Sequence, residues 1–106
     1  MESSTYGLQN SGAATYDYFG SSVAINDEYF VIGASGRDSG VVYIYSTSTG
    51  SLLHTINSPD GSYGGVQSFG TSIAINNDYL IIGSPNIPNS QGTYSGKVYV
   101  LSLIHI

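Results

Sequence analysis

Residues 18–34 read YFGSSVAINDEYFVIGA, and residues 68–84 read SFGTSIAINNDYLIIGS. Phe19-Gly20 returns as Phe69-Gly70, Ser22 as Ser72, Ala24-Ile25-Asn26 as Ala74-Ile75-Asn76, Tyr29 as Tyr79, and Ile32-Gly33 as Ile82-Gly83. Every match lies 50 positions further on, with no gap across the block. The differences are conservative: Val23 corresponds to Ile73, Phe30 to Leu80 and Val31 to Ile81. Self-similarity at a fixed period of this size marks a repeat architecture, and it constrains the fold more than any single residue does.

Each copy has the grammar of two strands and a turn. Val23 and Ile25 alternate with Ser22 and Ala24, as a strand requires when its side chains point to opposite faces. Asn26-Asp27 and Asn76-Asn77 are turn formers, so the chain reverses there. Tyr29–Ala34 and Tyr79–Ser84 are almost continuously apolar and β-branched, the pattern of a strand covered on both faces. Gly33 and Gly83 stand where a side chain would obstruct close backbone approach.

Working outward, a loop of variable length follows. Ser35–Ser39 is five residues long and Pro85–Ser95 is eleven. The repeat then resumes: Gly40, Val42, Tyr43 and Ile44 correspond to Gly96, Val98, Tyr99 and Val100, now 56 positions on. Ser46–Gly50 (STSTG) is a hairpin turn and Ser51–Asn57 (SLLHTIN) a fourth strand. Ser58–Gln67, with Pro59-Asp60-Gly61 and Gly64-Gly65, leads back to the next Phe-Gly. One unit is therefore four short antiparallel strands, A to D. Such a sheet is apolar on both faces and must stack against siblings, roughly 10 Å apart. Radial stacking gives a β-propeller, typically of about 4–8 blades. The expected fold class is all-β, with antiparallel four-stranded propeller blades, about two of them, in an incomplete propeller.

Composition agrees. The chain has 106 residues, 41% hydrophobic and only 8% charged, which is globular rather than disordered. Fourteen Gly and ten Tyr fit strands punctuated by turns. A net charge of −5, with Arg37 and Lys97 the two permanent cations, argues against nucleic acid and against attraction to anionic lipid. No apolar run approaches the roughly 20 residues of a membrane-spanning helix, so membrane insertion is not expected. The absence of Cys removes disulfides, thiolate metal ligands and Cys nucleophiles together.

FGSSVAI, YFVIGAS and GVVYIY, with their partners FGTSIAI, YLIIGSP and GKVYVL, resemble FG-GAP repeats, the blade motif of integrin-α-like propellers and many bacterial surface proteins. The similarity covers about residues 16–101. It implies an extracellular or cell-surface protein that contacts ligands through one face of a propeller. Calcium-binding members carry a D-x-D-x-D-G loop between strands A and B. Here that loop is Asn26-Asp27-Glu28 or Asn76-Asn77-Asp78, too short and too poor in carboxylates for the 6–8 oxygens Ca²⁺ takes. No metal site and no cofactor is expected.

The resemblance divides the chain into residues 1–15, the end of a preceding blade plus a loop; 16–57, a first blade; and 58–100, a second blade without its outer strand. Residues 101–106 (LSLIHI) carry no turn signal and resemble the translated end of a transposon-type sequencing adapter. They are set aside from functional reasoning, the alternative being a genuine extended C-terminal strand. Terminal sheets with an exposed apolar face predict marginal stability or self-association.

Catalytic readings are weak. His54 lies on strand D with no nucleophile at a suggestive spacing, and reads as a solvent-facing strand residue. Gly33-Ala34-Ser35-Gly36 lacks the spacing of a nucleophile elbow. Phe19 and Phe69 read as packing anchors beside glycines that let the backbone pass close. Because strand direction alternates, the A–B and C–D turns share one end of a blade and the B–C and D–A loops the other. The second end is richer, and Arg37, Asp38, Tyr63, Asn89 and Tyr94 are the expected ligand-binding residues there. Tyr16, Tyr18, Tyr63 and Tyr94 serve either as recognition contacts, since Tyr gives large contact area at low entropy cost, or as caps on the inter-blade core. The leading expectation is a non-catalytic binding or scaffold module for a protein or glycan ligand, joined to the remaining blades of the same propeller. The alternatives are a propeller segment of an enzyme whose catalytic residues lie elsewhere, and a purely structural spacer.

Overall fold

The computed structural model of the protein describes residues 7–8, 18–35, 40–59, 69–85 and 96–105. Its elements are β1 (Phe19–Ile25), β2 (Tyr29–Ala34), β3 (Val41–Ser46), β4 (Leu52–Asn57), β5 (Ser72–Ile75), β6 (Tyr79–Ser84), β7 (Lys97–Ser102) and a 3-10 turn at Leu103–His105. Strands β1–β4 form one antiparallel meander and β5–β7 a second. The all-β fold expected from the repeat is the fold that forms, with four strands in one blade and three, among the described residues, in the other.

The turns are built by the residues the sequence singles out. Asn26 Oδ1 accepts the backbone N–H groups of Glu28 (2.9 Å) and Tyr29 (2.7 Å), and Asn76 Oδ1 accepts those of Asp78 and Tyr79, both at 2.8 Å. This local mimicry of a backbone turn is why Asn recurs there. Gly50, at φ +75°, closes the β3–β4 hairpin by donating to the Ser46 carbonyl at 2.8 Å. Thr47 ties this turn to the β1–β2 turn, its N–H donating to the Glu28 carbonyl (3.0 Å) and its Oγ1 to that of Asp27 (2.7 Å).

In the second blade the Leu103 N–H donates to the Asp78 carbonyl at 2.8 Å. Tyr79 pairs with Ser102 as Tyr29 pairs with Ser46. Ser102 and Leu103 thus take the places of Ser46 and Thr47, and the Leu103 side chain is buried.

The Phe-Gly pair is a local break in the strand. Phe19 pairs with Ala34 and Ser22 with Gly33, so Gly20 and Ser21 are extruded as a bulge. The bulge is closed by the Ser21 N–H on the Tyr18 carbonyl at 2.9 Å. Gly20 has φ +92° and Gly70 has φ +91°, a conformation L side chains resist. Each Phe ring rests on the third-strand Tyr of its own blade. Phe19 meets Tyr43 with centroids 5.6 Å apart, and Phe69 meets Tyr99 edge-on at 5.1 Å.

The main core lies between the sheets. Val31, Val42 and Ile44 of the first face Phe69, Leu80, Ile82 and Leu103 of the second, with Ile73, Ile75, Tyr99 and Leu101 packed at the margin. A Cβ on Gly40 would run into the backbone of Phe69, and one on Gly33 would meet the Gly70 carbonyl oxygen and Ser22 Oγ. Two hydrogen bonds also cross: Ser22 Oγ donates to the Gly70 carbonyl, and Asn26 Nδ2 donates to the Asn76 carbonyl at 2.8 Å. On the opposite face of the first sheet, Ile32, Ala34, Val41, Tyr43 and Tyr45 form a second buried cluster, where Phe30 stacks on Tyr45 at 4.9 Å.

Phe69→Ala empties the largest fully buried position of the main core. It should cost about 3–5 kcal/mol in urea-unfolding free energy. Phe19→Ala, at a half-buried position, should cost clearly less. Burial, and secondarily the neighbouring Tyr43, raises the Tyr45 phenol above its ordinary value of 10.0. Folding therefore favours the neutral phenol; that stability is complete below pH 10 and is lost as pH rises through the folded value. Alkaline unfolding followed by circular dichroism should have its midpoint at higher pH in Tyr45→Phe than in the unaltered chain.

Candidate functional site

Register places the loop-rich edge. Phe19, Ala34, Val41 and Asn57 lie in one row across β1–β4, and Ser84 pairs with Lys97 at the corresponding end of β6–β7. Every B–C and D–A connection leaves from this edge: residues 36–39 after Ser35, 60–68 after Pro59, and 86–95 after Pro85. Arg37, Asp38, Tyr63, Asn89 and Tyr94 fall in these connections and lie outside the described residues, as does Tyr16. The structure therefore brings their flanking strand ends to a common edge.

What is described at that edge is a set of backbone and aromatic features. Tyr18 is exposed, at φ +57°, directly before the Phe19-Gly20 bulge. Left-handed backbone in a bulky residue is uncommon, and the turn closed by Ser21 holds it there. Lys97 lies over the ring of Tyr99, its Nζ 5.2 Å from the centroid. That contact places a cation beside the root of the 86–95 connection. His54, on β4 opposite Ile44, is exposed, as are its strand neighbours Leu53 and Thr55.

The opposite edge carries two open clefts that sequence reading passed over. One, of about 490 Å³, lies between the blades and is lined by Glu28, Asp78, Tyr79, Ser102, Leu103 and Ile104 among others. The other, of about 470 Å³, runs between the β1–β2 and β3–β4 turns, from Asp27 and Glu28 to Thr49 and Leu53. Asn26 and Asn76 commit their carboxamide oxygens to backbone N–H groups, and Asn26 uses its amide to reach the neighbouring blade. The one sequence signal for that inter-blade role is the recurrence of Asn at the same offset while the next two turn residues change. Among the described residues, no helix is long and apolar enough to cross a membrane.

Comparison with known proteins agrees with this geometry. The FG-GAP repeat matches twice, over residues 6–45 and 56–101, the two matches falling on the two blades. No curated protein matches the chain. FG-GAP repeats build β-propeller modules and commonly occur in extracellular and cell-surface proteins. With two matches covering most of its length and two equivalent sheets to account for them, the chain belongs to the FG-GAP repeat family.

Proposed function

We propose that the chain is a non-catalytic binding or scaffold module of an extracellular or cell-surface β-propeller, which contacts a protein or glycan through its B–C and D–A loops. One observation carries this reading: the strand ends Phe19, Ala34, Val41 and Asn57 align in a single row, so the long connections all leave one edge. Loops held side by side on a rigid sheet are the usual location of recognition residues. Arg37, Asp38, Tyr63, Asn89 and Tyr94 supply charge, amide hydrogen bonding and amphipathic rings, the chemistry that recognises sugar hydroxyls or a polar protein surface. The β1–β2 and β3–β4 turns on the other edge are short and closed by their own hydrogen bonds, a scaffolding role.

The test is a printed glycan array and a set of immobilised extracellular-matrix proteins, probed with the chain and its variants. The double variant Tyr63→Ala/Tyr94→Ala should weaken binding to the recognised probe by ~10-fold or more. Asp27→Ala, an exposed position on the opposite edge, should leave that binding unchanged. Equal loss in both variants would refute the assignment of the loop edge.

A further inference from the structure

Tyr18 departs from the repeat. Phe19-Gly20 recurs as Phe69-Gly70, but the residue before it is Tyr18 in the first copy and Ser68 in the second. The Tyr18 side chain is 60% exposed. Among the described residues it is the one non-glycine with positive φ, at +57°. Bulky residues resist that backbone because Cβ crowds the following carbonyl. An exposed aromatic that keeps a disfavoured backbone without the reward of burial is held there by its surroundings.

Those surroundings are the start of β1 and the end of β2. The Ser21 N–H donates to the Tyr18 carbonyl at 2.9 Å. Ser21 Oγ donates to the Gly33 carbonyl at 3.2 Å and accepts the Ser35 N–H at 3.3 Å. One serine thus ties the Tyr18 turn to the end of β2, where the 36–39 connection leaves. Tyr18 stands one residue outside the row of Phe19, Ala34, Val41 and Asn57, on the loop-rich edge. Its sequence position is compatible with two roles, a cap on the inter-blade core or a recognition contact. A cap hides its ring, whereas Tyr18 is exposed and belongs to neither buried cluster.

We infer that Tyr18 is a recognition residue of the loop edge, and that its ring receives the apolar face of a neutral pyranose in a glycan ligand. This rests on the loop-edge reading above and narrows its ligand. The negative face of an aromatic ring attracts the polarised C–H bonds that a pyranose presents on one side. A Tyr already restrained by its backbone loses little further freedom on binding. The neighbours favour a sugar over a protein. Gly20 and Ser21 are exposed and carry no apolar bulk, and Phe19 turns inward onto Tyr43. Protein contacts centre on clusters of apolar anchors. A lone ring beside a serine and open backbone matches a single sugar unit instead. The adjoining Asp17 in the sequence and a net charge of −5 favour a neutral sugar over an anionic one.

A printed array of neutral and acidic oligosaccharides, probed with the chain and its Tyr18 variants, tests this, alongside urea unfolding of each variant. Tyr18→Ala should weaken binding to a neutral glycan ~10-fold or more, while Tyr18→Phe should stay within about threefold, because the ring rather than the hydroxyl makes the contact. Tyr18→Gly should bind as poorly as Tyr18→Ala yet unfold at a higher urea concentration, since Gly accepts positive φ without strain. If Tyr18→Ala binds like the unaltered chain while Tyr63→Ala/Tyr94→Ala loses binding, the role of Tyr18 falls and the loop edge stands. Binding confined to acidic glycans or to immobilised proteins overturns the neutral-sugar assignment alone. Urea midpoints of Tyr18→Ala and Tyr18→Gly that both fall well below that of the unaltered chain make the ring a cap, and also overturn the inference. A chain that binds no glycan and no protein overturns it together with the loop-edge reading.

Discussion

The structure depends on how closely two backbones can pass. Phe69-Gly70 crosses the first sheet at Gly33 and Gly40, and at both positions the volume of a single Cβ is already occupied by the crossing chain. That approach lets the Phe69 ring reach full burial between the sheets and brings the Gly70 carbonyl to Ser22 Oγ. The apolar core, the hydrogen bonds between blades and the relative placement of the two sheets all follow from it. Propensity alone would give two hairpin-rich sheets; the glycine gaps give a stack.

Much of this was legible in the sequence because the repeat is written twice. Strand identities, turn positions and the Val23/Ile25 against Ser22/Ala24 alternation can be read from one copy and checked on the other. Gly33 and Gly83 were readable as close-approach positions because a glycine at the end of an apolar strand has few other reasons to recur. Less legible was the asymmetry between copies. Phe19 and Phe69 each stand before a glycine and a like strand, yet one is half-buried and the other fully buried, since burial depends on whether a further sheet lies alongside. No local pattern encodes that.

The polar details were less legible for another reason. Asn26 and Asn76 read as turn formers, and they are; the second use of the Asn26 amide, across to the next blade, depends on a spatial neighbour 50 residues away. Leu103 gave no signal either, because its equivalent in the first blade is the polar Thr47, which shares its backbone hydrogen bond but not its burial. The expected ligand residues, Arg37, Asp38, Tyr63, Asn89 and Tyr94, sit in the segments where the copies differ most in length and composition. The residues proposed for recognition fall where repetition stops, so the repeat itself says nothing of a ligand.

The residues between the sheets are graded in size. Along β1 the facing side chains are Ser22 and Ala24; along β3 they are Val42 and Ile44, in one buried cluster with Phe69, Leu80, Ile82 and Leu103 of the neighbouring blade. A layer thin along one strand and thick two strands away has the form of a wedge. In a face-to-face stack such a taper favours an angle between successive blades, and so a curved array. Changing the bulk of a few aliphatic groups would retune how many such wedges complete a circle.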